Sequence, residues 1–177
     1  PAFLLAILTQ ESALGKNVGS CYLTDPTTGA GVSVKSGSTF TNVMKPTRDV
    51  GPFIEITKSL GLDYKKTLIS CPIAGVAGWG GAMGPAQFIA STWMLFKDRI
   101  SKAIGVGTPN PWNPEHAFMA SSMYLTDLGA ANGSYTGEVR AACKYYGSGG
   151  ATCSYGTQVM TKAYNIQKTM IDPLQGL

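Results

Sequence analysis

Of the ten acidic residues in the chain, one stands apart by position. Asp49 precedes a predicted helix, Asp98 is flanked by Lys97 and Arg99, and Glu115 and Glu138 fall in first helical turns. These read as solvated acids or caps. Glu11 instead closes an apolar run in which Leu5, Ile7 and Leu8 must face a core, and the chain then enters a glycine-containing loop. A carboxyl at the boundary between core and cleft loses water on one side. That loss penalises the anion and keeps the proton on towards neutral pH, which is what a general acid requires. By position alone an exposed helix-end glutamate is the commoner case, so Glu11 needs support from elsewhere in the chain.

Other reactive residue types are few. His116 is the only histidine, and Cys21, Cys71, Cys143 and Cys153 form no CxxC pair. A zinc site would lack ligands, and no metal or cofactor is expected. An even cysteine count without metal spacing points to disulfides and an oxidising compartment. Cys143 and Cys153 are the local pair, bracketing the glycine-rich GSGGAT, and Cys21 and Cys71 then close a long loop. Each bridge would stabilise the fold by about 2–4 kcal/mol. Four free buried thiols in a cytosolic protein are the alternative.

These residues need elements to position them. Segment 2–14 predicts an apolar helix ended by Gly15. Residues 16–47 are rich in Gly, Ser and Thr and read as an extended loop, with a short hairpin around TDPTTGAG as an option. A helix over 52–60 begins at Pro52, presents Phe53, Ile54, Ile56 and Leu60, and stops at Gly61. Residues 70–85 form a second irregular stretch, and Pro85 opens a short helical turn through Ile89. Ser91 reads as the N-cap of a helix to Ile104, ended by Gly105. Asn113-Pro114-Glu115 starts a helix that runs to the neighbourhood of Ala130. Thr136 and Glu138 start another, to Tyr145. A last helix over 155–170 places Val159, Ala163, Ile166 and Met170 on one face. The expectation is one mostly α domain over 1–177, with two long irregular loops of a length that is usually functional.

Composition agrees with this picture. Hydrophobic residues make up 44% and charged residues 14%, an ordinary apolar content with a sparsely charged surface. No apolar run reaches the ~18 residues of a membrane span. The opening PAFLLAILTQ lacks a basic n-region and a cleavage site. It reads as a core helix whose beginning was trimmed, so the domain is expected to come from a longer protein. The net charge of +4 suits an anionic polymer such as a cell wall, and a neutral partner equally. There is no basic run or aromatic-interleaved basic stripe, which argues against nucleic acid.

Four segments share a pattern. Gln10-Glu11-Ser12-Ala13-Leu14-Gly15-Lys16-Asn17-Val18-Gly19 resembles the catalytic-glutamate motif of bacterial lytic transglycosylases, especially the membrane-bound B type. In that motif Ser or Thr follows Glu, with one glycine four residues after Glu and another four later. Gly81-Ala82-Met83-Gly84-Pro85-Ala86-Gln87-Phe88-Ile89 is similar to the family's Gly-Ala-Met-Gly-x-x-Gln-Phe-Met block. Ser91 falls where the family has serine, but Ile89-Ala90 replaces the usual Met-Pro. Asn110-Pro111-Trp112-Asn113-Pro114-Glu115-His116-Ala117 resembles the family's Trp-Asp-Pro-x-x-Ala helix start, which makes His116 a helix-start residue. Lys144-Tyr145-Tyr146-Gly147-Ser148 resembles the Arg-Tyr-Asn-x-Ser or Ala-Tyr-Asn-Ala-Gly block, with Tyr146 in place of asparagine. A one-residue shift would make Tyr146, not Tyr145, the functional tyrosine. Tyr155-Gly156-x-x-Val159 is similar to the final helix. The segments keep the family's order across residues 10–163, and residues 20–70 carry none of its motifs.

The resemblance implies a lysozyme-like fold, of the goose-type or soluble lytic transglycosylase kind, acting as a monomer on peptidoglycan glycan strands in the cell envelope or outside the cell. Glu11 takes the catalytic place. A glycine strip including Gly84 lets a sugar approach the backbone, and Gln87 offers donor and acceptor to acetamido or hydroxyl groups. Tyr145 would set its hydroxyl near the reacting centre. Met83 and Phe88 read as core or cleft wall, Ser12 and Ser20 as weaker substrate hydrogen-bonders, and Trp79 as a stacking ring, with Trp93 and Trp112 in the core.

Most glycosidases use two carboxylates. Asp25 and Asp49 lie in or near the long loop, but nothing marks either as a partner for Glu11. The resemblance implies a single-carboxylate route. Glu11 would protonate the glycosidic oxygen between N-acetylmuramic acid and N-acetylglucosamine. The 2-acetamido group or nearby dipoles would stabilise C1. Glu11 would then take the C6 hydroxyl proton as a 1,6-anhydro ring closes. A goose-type lysozyme, an inactive glycan-binding module and a disulfide-rich interaction domain are the alternatives.

Overall fold

In the computed structural model, which describes residues 1–176, the apolar start of the chain forms α1, Ala2–Ser12. Ala6 and Ile7 pack into one core cluster and Leu8 into another. An all-round apolar helix belongs between two cores, and this placement fixes the end of α1 where both cores meet. The helix stops at Ser12, before the expected Gly15. The Ser12 hydroxyl accepts the Gly15 N–H at 2.8 Å, and Ala13 and Leu14 take left-handed φ values of 51° and 56°.

The long loop expected over 16–47 contains a three-stranded antiparallel sheet, so the hairpin option understates it. Its strands are β1 (Cys21–Asp25), β2 (Ala30–Ser33) and β3 (Thr39–Phe40), in that order. Cys21 faces Ser33 and Val32 faces Thr39. In β1 and β2 alternate residues are buried, with Cys21, Leu23, Gly31 and Ser33 inward. The β1–β2 turn is held by the Asp25 carboxylate, which accepts the Thr27 N–H at 2.8 Å. Strands of two to five residues carry little periodic signal.

The remaining helices are α2 (Gly51–Ser59), α3 (Ala90–Ile104), α4 (Pro114–Leu125), α5 (Tyr135–Tyr145) and α6 (Ser154–Ile166). A wider helical turn, Pro46–Val50, leads into α2, and similar turns extend α4 to Ala130 and α6 to Ile171. The Asn113 side chain caps α4, accepting the Glu115 N–H at 2.9 Å. Four expectations change. Ile89, not Ser91, precedes α3, because the Ser91 hydroxyl donates to the Asp49 carboxylate at 2.7 Å. Asp49, read as a solvated acid, is only 1% exposed and is also paired with Arg48 at 2.7 Å. Ser134 rather than Thr136 caps α5. Met170 is exposed and does not share the buried face of Val159 and Ala163.

One cluster is built by the sheet, α2, α3 and α4 around Trp93, Phe53 and Met44; the other lies between α1, α5 and α6. Disulfides join Cys21 to Cys71 and Cys143 to Cys153, leaving no free cysteine. Two such bridges match an oxidising compartment. Among the described residues no helix is long and apolar enough to cross a membrane.

Candidate active site

The end of α1 opens on a cleft of about 600 Å³, a size that fits a small-molecule or sugar site. Glu11 lies in its lining. One wall is the 70–92 segment, with Trp79, Gln87 and Phe88. The other comes from the end of α5 and the start of α6, with Tyr145, Tyr146 and Tyr155. Among the described residues Glu11 is the only carboxylate in the lining and Lys144 the only cation.

Burial pushes the Glu11 carboxyl above its usual value, and a hydrogen bond from the Tyr155 hydroxyl to Oε1 pulls partly the other way. Burial dominates, so the proton is held to higher pH than on a free glutamate. Tyr155 is itself mostly buried. Burial first, then the neighbouring Glu11 charge, push its phenol far above the ordinary tyrosine value. It therefore stays a donor. The Tyr146 ring stacks on Tyr155 with centroids 4.8 Å apart and planes 15° from parallel. The Cys143–Cys153 bridge ties the ends of the two helices that carry these rings. Tyr155 was read only as part of a helix match. Its partner lies 144 positions away, and only the packing of α6 on α1 brings the two together.

Gln87 sits at the tip of a tight turn, with φ of 54°. The helical turn expected over Pro85–Ile89 is absent. Instead the Met83 N–H donates to the Phe88 carbonyl at 2.9 Å and closes a β-bridge. This places Gln87 in the cleft lining, where its Nε2 donates to the Gly84 carbonyl at 2.8 Å. Tyr145 also lines the cleft, but its hydroxyl is engaged within the fold. It donates to the Ala86 carbonyl at 2.7 Å and accepts from Ser121 at 2.9 Å. Tyr145 thus props the turn that carries Gln87, whereas Tyr155, not Tyr145, touches Glu11.

Several residues named from the sequence do not reach the lining. Ser12 is 1% exposed, and its hydroxyl donates to the Pro85 carbonyl at 2.5 Å, stapling α1 to the 81–89 segment. Ser20 lies beside the Cys71 sulfur, outside the cleft lining. Met83 is fully buried. Gly84 is required for packing, since a Cβ there would lie 1.9 Å from the Pro111 carbonyl oxygen. Phe88, by contrast, does line the cleft; it is mostly buried and centres an aromatic cluster with Trp93, Phe96, Tyr124 and Tyr145. His116 accepts the Asn110 N–H on Nδ1 at 2.8 Å, a helix-start role. Asp25 and Asp49 are both outside the lining.

The arrangement brings together one carboxyl whose pKa is raised by burial, a side-chain amide in the cleft lining, and exposed aromatic rings on both walls. Such a set can protonate a bridging oxygen while apolar ring faces hold a sugar. No protein-family model, curated protein or solved structure matches the chain.

Proposed function

We propose that this chain is a lysozyme-like peptidoglycan lytic transglycosylase domain, with Glu11 acting as acid and then as base. The observation that carries the reading is that Glu11, partly buried and bonded to Tyr155, is the one carboxylate among the described residues that line the cleft. Its motif and those at 81–89 and 144–148 supply the substrate class. With its proton retained by burial, Glu11 donates to the oxygen between N-acetylmuramic acid and N-acetylglucosamine as the C1–O bond breaks. The ionised carboxylate, steadied by Tyr155, then accepts the C6 hydroxyl proton as that oxygen bonds to C1. The products are a free 4-hydroxyl on the leaving sugar and a 1,6-anhydro ring, with no water consumed and Glu11 protonated again. Gln87 hydrogen-bonds the acetamido or hydroxyl groups of a bound sugar. The two disulfides support a setting in the cell envelope or outside the cell.

Digestion of purified peptidoglycan with mass spectrometry of the fragments tests this. The parent chain is expected to release anhydro ends, and Glu11→Gln to release nothing while keeping its fold. Reducing ends would assign a goose-type hydrolase. Equal cleavage by the variant would remove Glu11 from the mechanism. Binding without cleavage by the parent chain would leave a glycan-binding module.

A further inference from the structure

Between Cys71 and Gly81 the chain runs Pro-Ile-Ala-Gly-Val-Ala-Gly-Trp-Gly, a flap without a single charged side chain. Ile73, Val76 and Trp79 are exposed on it, Trp79 to 41%, and Ile73 and Trp79 line the cleft. Gly75 and Gly78 have positive φ and no neighbouring atoms where a Cβ would stand. A segment of this kind wanders unless something holds it.

Its stems are held. Cys71 is bridged to Cys21, and Gly81 N–H donates to the Ser70 carbonyl at 2.9 Å. Within the flap, one residue from another part of the chain makes the hold. Asn42 Nδ2 donates to the Gly78 carbonyl at 2.6 Å, and the Asn42 carbonyl accepts the Gly80 N–H at 3.2 Å. These are the two peptide groups on either side of Trp79. Asn42 in turn has a firm base. Val43 and Met44 next to it are fully buried, and the Met44 N–H donates to the Gly29 carbonyl at 3.0 Å in the β1–β2 turn.

We propose that Asn42 is a positioning residue for Trp79, and that the pinned indole is the stacking platform for a pyranose ring of a bound N-acetylated glycan. The inference rests on the glycan-cleaving reading of the cleft. It also gives the motif-free stretch 20–70 a task, which is to hold the post that fixes the flap. A pinned ring meets its sugar with the ordering cost already met in folding, whereas a freed flap must be ordered at each binding event. Loss of the pin therefore weakens binding and leaves the chemistry at Glu11 alone, so KM moves and kcat does not.

The test uses two assays. Binding of N-acetylglucosamine hexamer is followed in the non-cleaving Glu11→Gln protein by tryptophan emission, and by titration calorimetry where Trp79 is replaced, and steady-state kinetics are measured on soluble glycan strands with Glu11 intact. Asn42→Ala, and Asn42→Asp, which keeps the shape but lacks the donor, should each weaken binding and raise KM about fivefold, the effect of one hydrogen bond. Trp79→Ala should weaken binding by about tenfold, as for a lost aromatic contact. Adding Asn42→Ala to Trp79→Ala should then change little, since both act through one ring. A full Asn42 effect in the absence of Trp79, or a drop in kcat at constant KM, overturns the proposal. So do Asn42 and Trp79 variants that bind as tightly as the parent, even where Glu11→Gln has abolished cleavage. Cleavage that survives Glu11→Gln sinks the catalytic assignment instead, and the binding titration still decides the role of Asn42.

Discussion

Glu11 and Tyr155 form the hydrogen-bonded pair on which the proposed chemistry depends, and the direction of each shift makes it testable. Burial raises the Glu11 pKa and the Tyr155 hydrogen bond lowers it. In the proposed mechanism Glu11 is the general acid and must be protonated, so activity is expected to fall as pH rises through its pKa. Tyr155→Phe removes the lowering contact, and the alkaline limb of the kcat/KM profile is expected to move to higher pH. The same variant loses orientation of the carboxylate, and kcat/KM should fall by about tenfold, the weight of one hydrogen bond to a charged group. An unshifted limb would separate Tyr155 from Glu11. Linkage gives a second expectation. A carboxyl whose folded pKa is raised contributes stability below its unfolded pKa, near ~4.3, and that contribution is lost as pH rises through the folded value. Glu11→Gln removes this loss, so urea melts of variant and parent should converge at low pH and diverge in the variant's favour at neutral pH. Glu11, Trp79, Gln87, Phe88, Tyr145 and Tyr146, all named from the sequence, line one cleft, because short motifs encode local turns. The sequence could not mark Tyr155 or Asn42, whose roles exist only across long chain separations. It also misdirected Ser12, whose place beside Glu11 in the motif hides a side chain turned inwards to Pro85.

Helices were the legible elements, because their ends are written in local chemistry. Asn113 and Pro114 open α4, and Gly105 closes α3 with φ of 68°. At Ser91 the cap was misread because a tertiary partner, Asp49, claims its hydroxyl. The sheet was less legible since its strands are short and its buried positions include Gly31 and Ser33. The cysteine pairs were legible from spacing, and their consequences follow from the elements they join. Cys143–Cys153 spans 10 positions and Cys21–Cys71 spans 50. Chain-entropy reasoning gives about 3 and about 4 kcal/mol respectively. Replacing Cys143 and Cys153 with serine should thus lower the unfolding free energy less than the same change at Cys21 and Cys71. Their effects on function should differ in kind. Loosening the α5–α6 bridge frees Tyr146 and Tyr155 and should reduce kcat several-fold at temperatures where the fold is intact. Loosening Cys21–Cys71 frees the flap stem and should raise KM. Denaturation curves and kinetics on the same two double variants check both statements, and a common effect on kcat would undo the division of labour between the walls.

At the scale of the molecule, the charge distribution bears on which glycans the proposed activity would select. The chain carries a net +4. Ion pairs occupy Arg48, Lys66, Lys97, Arg99 and Lys168 with acids of the fold itself, and Lys144 makes none of them. With Glu11 protonated, as the proposed general acid must be, Lys144 is the one charge among the described residues that line the cleft. A positive field at the mouth of a cleft attracts an anionic polymer and is screened by salt. The Debye length shrinks from about 30 Å at 0.01 M to about 8 Å at 0.15 M. Binding of intact peptidoglycan, whose muramic acid and peptide carboxylates are anionic, should therefore weaken across that range. Binding of a neutral N-acetylglucosamine oligomer to the same cleft should stay constant, because its contacts are stacking and hydrogen bonds. Lys144→Gln should flatten the salt response for peptidoglycan and leave the neutral oligomer unaffected. Sedimentation with insoluble peptidoglycan, beside the fluorescence titration with the oligomer, measures both. An identical salt response for the two ligands would mean that charge has no part in selecting the glycan, leaving ring contacts and Gln87 to do so.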